Sequence, residues 1–320
     1  MAKVQEEVRE EVQEEAREEV REEVREEAPK IKHIVISGGG VTGFAFYGVL
    51  RESNKAGFWK MSDIQTIHAT SIGTFIMTSL AIINVIGWDS ADDFFVKRPW
   101  EQIVNLTADR ILKSYGNVGV FSLEEFEQGL RPLLTAVDLS LNTTLLEFYE
   151  FSGVEMHWYT TNLDKYRLED ISYKTHPDWR VVDATYCSCA LPIMFRPGNV
   201  NGVLYSDGGT FCGYPIAQCA AMADSPDEIL GIYKPGIPIK HIEYANMLDY
   251  LTDIIKKTIK CLDQDIVAIK NEVRVADDAI TLNQVSETFK TQESRSSKIR
   301  LGVDCWRKFI TSRECSQLPH

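Results

Sequence analysis

The stretch Ile67-His68-Ala69-Thr70-Ser71-Ile72-Gly73-Thr74 reads as a buried strand that turns sharply into a helix, with Ser71 at the turn. Behind it, Phe75 to Ile86 holds only Thr78, Ser79 and Asn84 as polar residues, which is too apolar all round for a surface helix and places it in the core. A serine between such a strand and such a helix has its hydroxyl at the top of a sheet. The N–H groups that follow it lie at a helix N-terminus, where negative charge is favoured. The pattern G-x-S-x-G is present as Ala69-Thr70-Ser71-Ile72-Gly73. Residues two before and two after the serine approach each other in that turn, so small side chains are required and alanine meets the need. Taken alone, the same residues also read as an ordinary strand-to-helix turn.

Toward the N-terminus, Ile31 to Ile36 reads as a β-branched buried strand that runs into Ser37-Gly38-Gly39-Gly40-Val41-Thr42-Gly43 and a helix from Phe44 to Asn54. With a second strand from Ile64 to Ala69 this is a βαβ unit, which predicts a parallel sheet with its site at the strand C-termini. The glycine loop has two functional readings. Gly38, Gly40 and Gly43 fit the dinucleotide fingerprint G-x-G-x-x-G, but the acidic residue expected at the end of the second strand is replaced by Ala69-Thr70-Ser71. The alternative is that the loop offers backbone N–H groups to an anion formed at Ser71, one strand away. The two motifs meet at one edge of the sheet, which favours acyl chemistry over hydride chemistry.

Toward the C-terminus, residues 87–144 read as helical, with Ser90 to Val96, Glu101 to Ser114 and Leu123 to Ala136 as the segments. Trp88, Phe94, Phe95 and Trp100 gather there as either an apolar lid or membrane-touching surface, or plain core. Val154 to Thr161 is a strand with Tyr166 to Ser172 as its hairpin partner, and Val181 to Cys189 is a helix. Val203 to Ser206 is a short strand running into Asp207-Gly208-Gly209. An aspartate at a strand end, followed by two glycines, can aim its carboxylate into a cleft; the same residues also read as a common Asp-Gly turn. His241 to Val273 reads as a long helix with Leu248, Leu251, Ile254, Ile255, Ile259, Leu262 and Ile266 on its apolar face, packed on the sheet. No function is assigned beyond Asn283.

Composition bounds the rest. The 320 residues, 44% of them hydrophobic, suffice for a sizeable core. Seven cysteines, scattered between Cys187 and Cys315, match neither a disulfide framework nor paired zinc ligands and point to a reducing setting. The start carries no apolar signal segment, and the run from Phe75 to Ile86 is too short to span a bilayer, so an intracellular, cytoplasmic protein is expected, peripheral on membranes at most. The formal charge of −13 argues against a nucleic-acid binder with a broad basic face. Residues 1–30 hold twelve Glu against six Lys or Arg, so −6 of that charge sits there. Their small apolar residues recur every four positions, at Val4, Val8, Val12, Ala16, Val20, Val24 and Ala28. Such a stripe winds round a helix of period 3.6, so this is a solvated helical or disordered extension. The expected domains are therefore residues 1–30 as this extension, 31–240 as the catalytic unit and 241–320 as a C-terminal helical extension.

Three separated motifs, Gly38-Gly39-Gly40-Val41-Thr42-Gly43, Ala69-Thr70-Ser71-Ile72-Gly73 and Asp207-Gly208-Gly209, stand in the order and at roughly the spacing of the patatin-like phospholipase family, which the chain resembles over residues 31–240. Ala184 to Pro197 and Val203 to Pro215 are similar to that family's linking blocks. The resemblance implies a three-layer α/β sandwich with a central, mostly parallel sheet, and hydrolysis of acyl esters of lipids without metal or cofactor. It implies Ser71 as nucleophile and Asp207 as base in a two-residue dyad, with Gly38, Gly39 and Gly40 and the amide of Ile72 around the oxyanion. Thr42, Gly43, Ala69, Gly73, Gly208 and Gly209 then support the motifs. The implied partner is a lipid or a membrane surface, with protein partners unspecified. The chain departs from the family pattern at Thr42, where Arg or Lys is frequent, at Ala69, where Gly is frequent, and near Gly213, where Asn is frequent. A Ser71, Asp207, His241 triad, and a lipid-binding scaffold of the same fold without catalysis, are the competing readings.

Overall fold

The computed structural model describes residues 30–235, 267–277 and 282–317, with scattered positions between 247 and 257. The Glu-rich repeat, His241 and the apolar positions Leu248, Ile259, Leu262 and Ile266 lie outside the described residues. The first half runs β1 (His33–Ile36), α1 (Gly43–Lys55), β2 (Thr66–Thr70), α2 (Ile72–Ile86), α3 (Trp88–Asp92), α4 (Ala108–Asn117), α5 (Leu123–Thr135) and α6 (Leu145–Ser152). The second runs β3 (Glu155–Asn162), β4 (Arg167–Ile171), α7 (Val181–Cys189), β5 (Gly198–Val200), β6 (Val203–Asp207), α8 (Ile216–Ala220), β7 (Ile229–Tyr233), β8 (Asn271–Arg274), α9 (Leu282–Lys290) and α10 (Gln292–Gln317).

One sheet in the order β5-β6-β3-β2-β1-β7-β8, with β4 on β3, organises these elements. β3, β2, β1, β7 and β8 are parallel, while β4 and β6 run antiparallel to β3. Helices cover both faces of this sheet, so the fold is the mostly parallel α/β sandwich that the resemblance implies, built on the parallel sheet that the βαβ pattern predicts. Alternation along each strand sorts the two faces. Ile34, Ile36, Ile67, Ala69, Met156 and Trp158 point into the larger core, which also holds much of α1, α2 and α7. Val35 and Ile229 pack with Tyr214, Ile216 and Cys219 on the other face. That second face is unusually polar beneath its cover. The His68 and His157 rings stack at 4.2 Å, His68 Nδ1 lies 2.9 Å from the Tyr159 hydroxyl, and His33 and His68 both reach Thr66 Oγ1.

Three elements differ from the sequence reading. The expected helix from Glu101 to Ser114 begins only at Ala108, because Thr107 caps it by accepting the Arg110 N–H, while Trp100–Gln102 forms a separate 3-10 turn. The helix expected to reach Val273 gives way to β8, whose Asn271 to Arg274 pair in parallel with Leu230 to Tyr233 of β7. Unpaired backbone at the β7 edge takes up a neighbouring strand whatever its local propensity, and Val273 and Val275 are buried there. Leu251 and Ile254, expected on a packed face, are instead exposed. Beyond Asn283, where the sequence reading assigns no role, α10 crosses α1 and buries Ile299 and Trp306 in the main core. Of the aromatic group with two readings, Phe95 and Trp100 are buried against Phe44 and belong to the core.

Candidate active site

Strand registers decide where the two motif residues meet. Tyr159 pairs with both Thr70 of β2 and Asp170 of β4, so β2 and β4 lie on opposite edges of β3. Thr160 pairs with Glu169 of β4 and Asp207 of β6, so β6 shares the β2 edge. β2 and β6 therefore approach along one edge from opposite directions and end head to head, Thr70 opposite Tyr159 and Asp207 opposite Thr160. Ser71 follows Thr70 directly.

Ser71 stands at φ 55° and ψ −131° between β2 and α2. A non-glycine residue in this region costs of order 1–3 kcal/mol and persists only where its surroundings hold it. Here the Ser71 N–H donates to Ser188 Oγ at 3.0 Å, and Ser188 Oγ–H in turn donates to the Tyr159 carbonyl at 2.6 Å. The Ser71 carbonyl accepts both the N–H and the hydroxyl of Thr74. Gly73 lets the first turn of α2 cross the end of β1: a Cβ there would stand 2.7 Å from the Ile36 carbonyl oxygen. Ala69 is fully buried in β2 between Ile36 and Trp158, so its methyl group fits the place where a glycine is frequent.

Ser71 Oγ–H donates to Asp207 Oδ2 at 2.6 Å. Asp207 Oδ1 accepts the Gly209 N–H at 2.8 Å. The strand end beneath is fixed by Thr161, whose hydroxyl donates to the Asp207 carbonyl at 2.8 Å. Gly208 passes so close under Tyr159 that a Cβ would stand 2.1 Å from its carbonyl oxygen. Burial pushes the Asp207 carboxyl up to about 6, against the opposing pull of its hydrogen bonds from Ser71 and Gly209. Among the described residues no histidine hydrogen-bonds to either member of this pair.

The glycine loop wraps the same corner. Gly38 lies against the serine, since a Cβ there would stand 3.2 Å from Ser71 Cβ, but its N–H already donates to the Gly213 carbonyl at 2.8 Å. That corrects one expectation: the Gly38 amide is a strut, not a free donor. The N–H groups of Gly39, Gly40 and Ile72 have no acceptor among the described residues. Gly43 starts α1 against the Ile72 side chain, and Thr42 is wholly buried.

An apolar cavity of about 110 Å³ opens beside the loop, lined by Gly40, Val41 and Ile72 together with Phe75, Phe126 and Phe195. Among the described residues no group of three or more His, Cys, Asp or Glu side chains could hold a metal ion. No helix there is long and apolar enough to cross a membrane.

A serine elbow at the end of a central parallel strand, with a carboxylate delivered by a later strand, is the architecture of the α/β hydrolytic folds. The model of the patatin-like phospholipase family matches residues 34–220, and the chain belongs to that family. A probable lipid hydrolase of Invertebrate iridescent virus 6 is 25% identical over 187 residues, 58% of this chain and 62% of that protein. An uncharacterized protein of Acanthamoeba polyphaga mimivirus is 28% identical over 211 residues, 63% of this chain and 65% of that one. The chain thus spans less than two thirds of the length of either relative. Among solved structures, VipD from Legionella pneumophila is similar at a TM-score of 0.48 and 15% identity, covering 89% of this chain and 67% of that one. ExoU of Pseudomonas aeruginosa, solved in complex with SpcU, is similar at a TM-score of 0.40 and 12% identity, covering 86% of this chain and 53% of that one.

The sequence motifs contain Ser71, Asp207 and the glycines, but they say nothing of Ser188 and Thr74, which hold the serine in its turn. Ser188 lies inside the Ala184 to Pro197 block, so the motif marks its place without revealing its role.

Proposed function

We propose that this protein hydrolyses acyl esters of lipids with Ser71 as nucleophile and Asp207 as its base. The observation that carries the reading is the 2.6 Å hydrogen bond from Ser71 Oγ to Asp207 Oδ2, made in a strained turn next to an apolar cavity. Ser71 Oγ attacks the ester carbonyl carbon while its proton passes to Asp207 Oδ2. The carbonyl oxygen becomes an oxyanion, met by the N–H groups of Gly39, Gly40 and Ile72. As the tetrahedral intermediate collapses, the ester C–O bond breaks and the leaving alcohol takes the proton from Asp207, which leaves an acyl ester on Ser71. Water then attacks that ester, gives its proton to Asp207, and releases the fatty acid as the proton returns to Ser71.

The cavity supports an acyl chain as the group transferred. Its lining is almost wholly aliphatic and aromatic, with Glu125 held aside by Arg110, and burying each methylene contributes about 0.8 kcal/mol. Both Asp207 oxygens are engaged, one by Ser71 and one by Gly209, which supports a dyad over a triad. A fluorophosphonate probe tests the reading: a covalent adduct on Ser71, absent from Ser71→Ala, supports it, and a protein that neither labels nor turns over a lipid ester rejects it in favour of a non-catalytic lipid-binding scaffold.

A further inference from the structure

We propose that Lys298 is a positioning residue for the glycine loop, acting through Asp277 and Thr42; this rests on the hydrolase reading above. Thr42 closes the loop, and its buried hydroxyl donates to Asp277 Oδ2 at 2.8 Å. Asp277 follows β8 and is only 4% exposed. Its other oxygen, Oδ1, accepts the Lys298 ammonium from α10, whose side chain is itself 20% exposed. Thr42 in turn backs the loop: a Cβ on Gly39 would stand 3.3 Å from Thr42 Cβ. Lys298, Asp277, Thr42 and Gly39 therefore form a continuous line from the C-terminal helix to an amide assigned to the oxyanion. A second cation joins it, since Lys234 Nζ donates to the Gly39 carbonyl at 3.4 Å.

Charge gives the line its purpose. Despite burial, the Lys298 ammonium and the Thr42 hydroxyl hold the Asp277 carboxyl below its ordinary range, so it is ionised at neutral pH. A bare carboxylate behind the loop would repel the oxyanion through a low-dielectric interior. Paired with Lys298 it becomes a fixed acceptor that orients Thr42 without opposing the reaction. Residues 277 and 298 both lie beyond the 34–220 match, so the support for the loop comes from the C-terminal part of the chain.

The test uses the full chain and p-nitrophenyl butyrate. Lys298→Met is expected to lower kcat roughly 10- to 100-fold with KM within about twofold, less than the loss of a whole oxyanion donor because the loop amides are displaced and not removed. Lys298→Arg is expected to keep most of the activity, and Lys298→Met combined with Asp277→Asn to regain part of the loss, because the negative charge that Lys298 balanced is gone. Amide hydrogen exchange is expected to quicken at residues 39–42 in Lys298→Met while β3 stays protected. An unchanged kcat overturns the proposal. So does an equal loss in the Met, Arg and double variants accompanied by faster exchange across the whole sheet, which assigns Lys298 to general stability. A wild-type protein inert toward esters overturns the hydrolase reading instead, and loop exchange still decides whether Lys298 positions the loop.

Discussion

Thr70 and Asp207 occupy consecutive places along one edge of β3, opposite Tyr159 and Thr160. Two strands that end head to head leave their terminal side chains in one gap, and the first residue past Thr70 is Ser71. The 2.6 Å contact between Ser71 and Asp207 follows from that pairing, and no flexible loop has to bring the two together.

Removing either end of this contact has a clear expected outcome. Ser71→Ala and Asp207→Asn are each expected to lower ester turnover by roughly 10³-fold or more, as for a nucleophile and base that act as a unit. Circular dichroism is expected to show the same folded signal in both, since each replacement fills nearly the same volume. Turnover within tenfold of wild type in Ser71→Ala would show that another group attacks the ester.

The Asp207 carboxyl near 6 sets a pH profile. In its proposed role as base Asp207 acts only when deprotonated, so kcat/KM is expected to rise with unit slope below about pH 6 and to level off above it. Stability follows with its own sign. Burial raises the carboxyl from 3.8 in the unfolded chain to about 6 in the folded one, so the protonated form favours folding at low pH and that contribution is lost as pH rises through about 6. The difference between those two values corresponds to roughly 3 kcal/mol. Asp207→Asn is therefore expected to melt above wild type at pH 8, with the gap closing toward pH 4. A gap that is flat from pH 4 to 8 would contradict the burial argument.

His68 gives the opposite slope. Burial, with His157 stacked on it, holds its imidazole well below the usual range, so it stays neutral in the folded chain. The unfolded chain takes up that proton near pH 6.5, and stability is expected to fall as pH drops below about 6.5. His68→Gln is expected to flatten this acid limb in a series of thermal melts. Unaltered acid sensitivity in that variant would place the effect elsewhere.

The cavity makes a prediction about chain length. Gly129 lines it, and a Cβ there would meet only Phe75 at 3.6 Å and Trp100 at 4.0 Å, so a small side chain is accommodated. Gly129→Leu is expected to fill the space, lowering kcat/KM for octanoyl esters by about tenfold while leaving acetyl esters within twofold, since a few buried methylenes are at stake. Equal effects on both esters would mean that the acyl chain lies outside this cavity.

Local sequence carries much of the fold and the site. The apolar run of α2, the β-branched β1 and the glycines between β1 and α1 are short-range signals, and they suffice for the βαβ unit, the serine turn and the loop. Gly73 and the strand-ending Asp207 are legible for the same reason, because each answers a constraint set by its immediate neighbours. What the sequence could not contain is pairing across the chain. That β6 ends against β2, that β7 recruits Asn271–Arg274 as a strand, and that Gly38 gives its amide to Gly213 depend on hydrogen bonds between residues far apart in sequence. Thr42 is a bare departure from the family loop in the sequence and a buried partner of Asp277 and Lys298 in the structure. Propensity and motif are properties of a few adjacent residues, whereas register, burial and charge pairing arise only when distant segments share a surface, so the tertiary structure alone decided them.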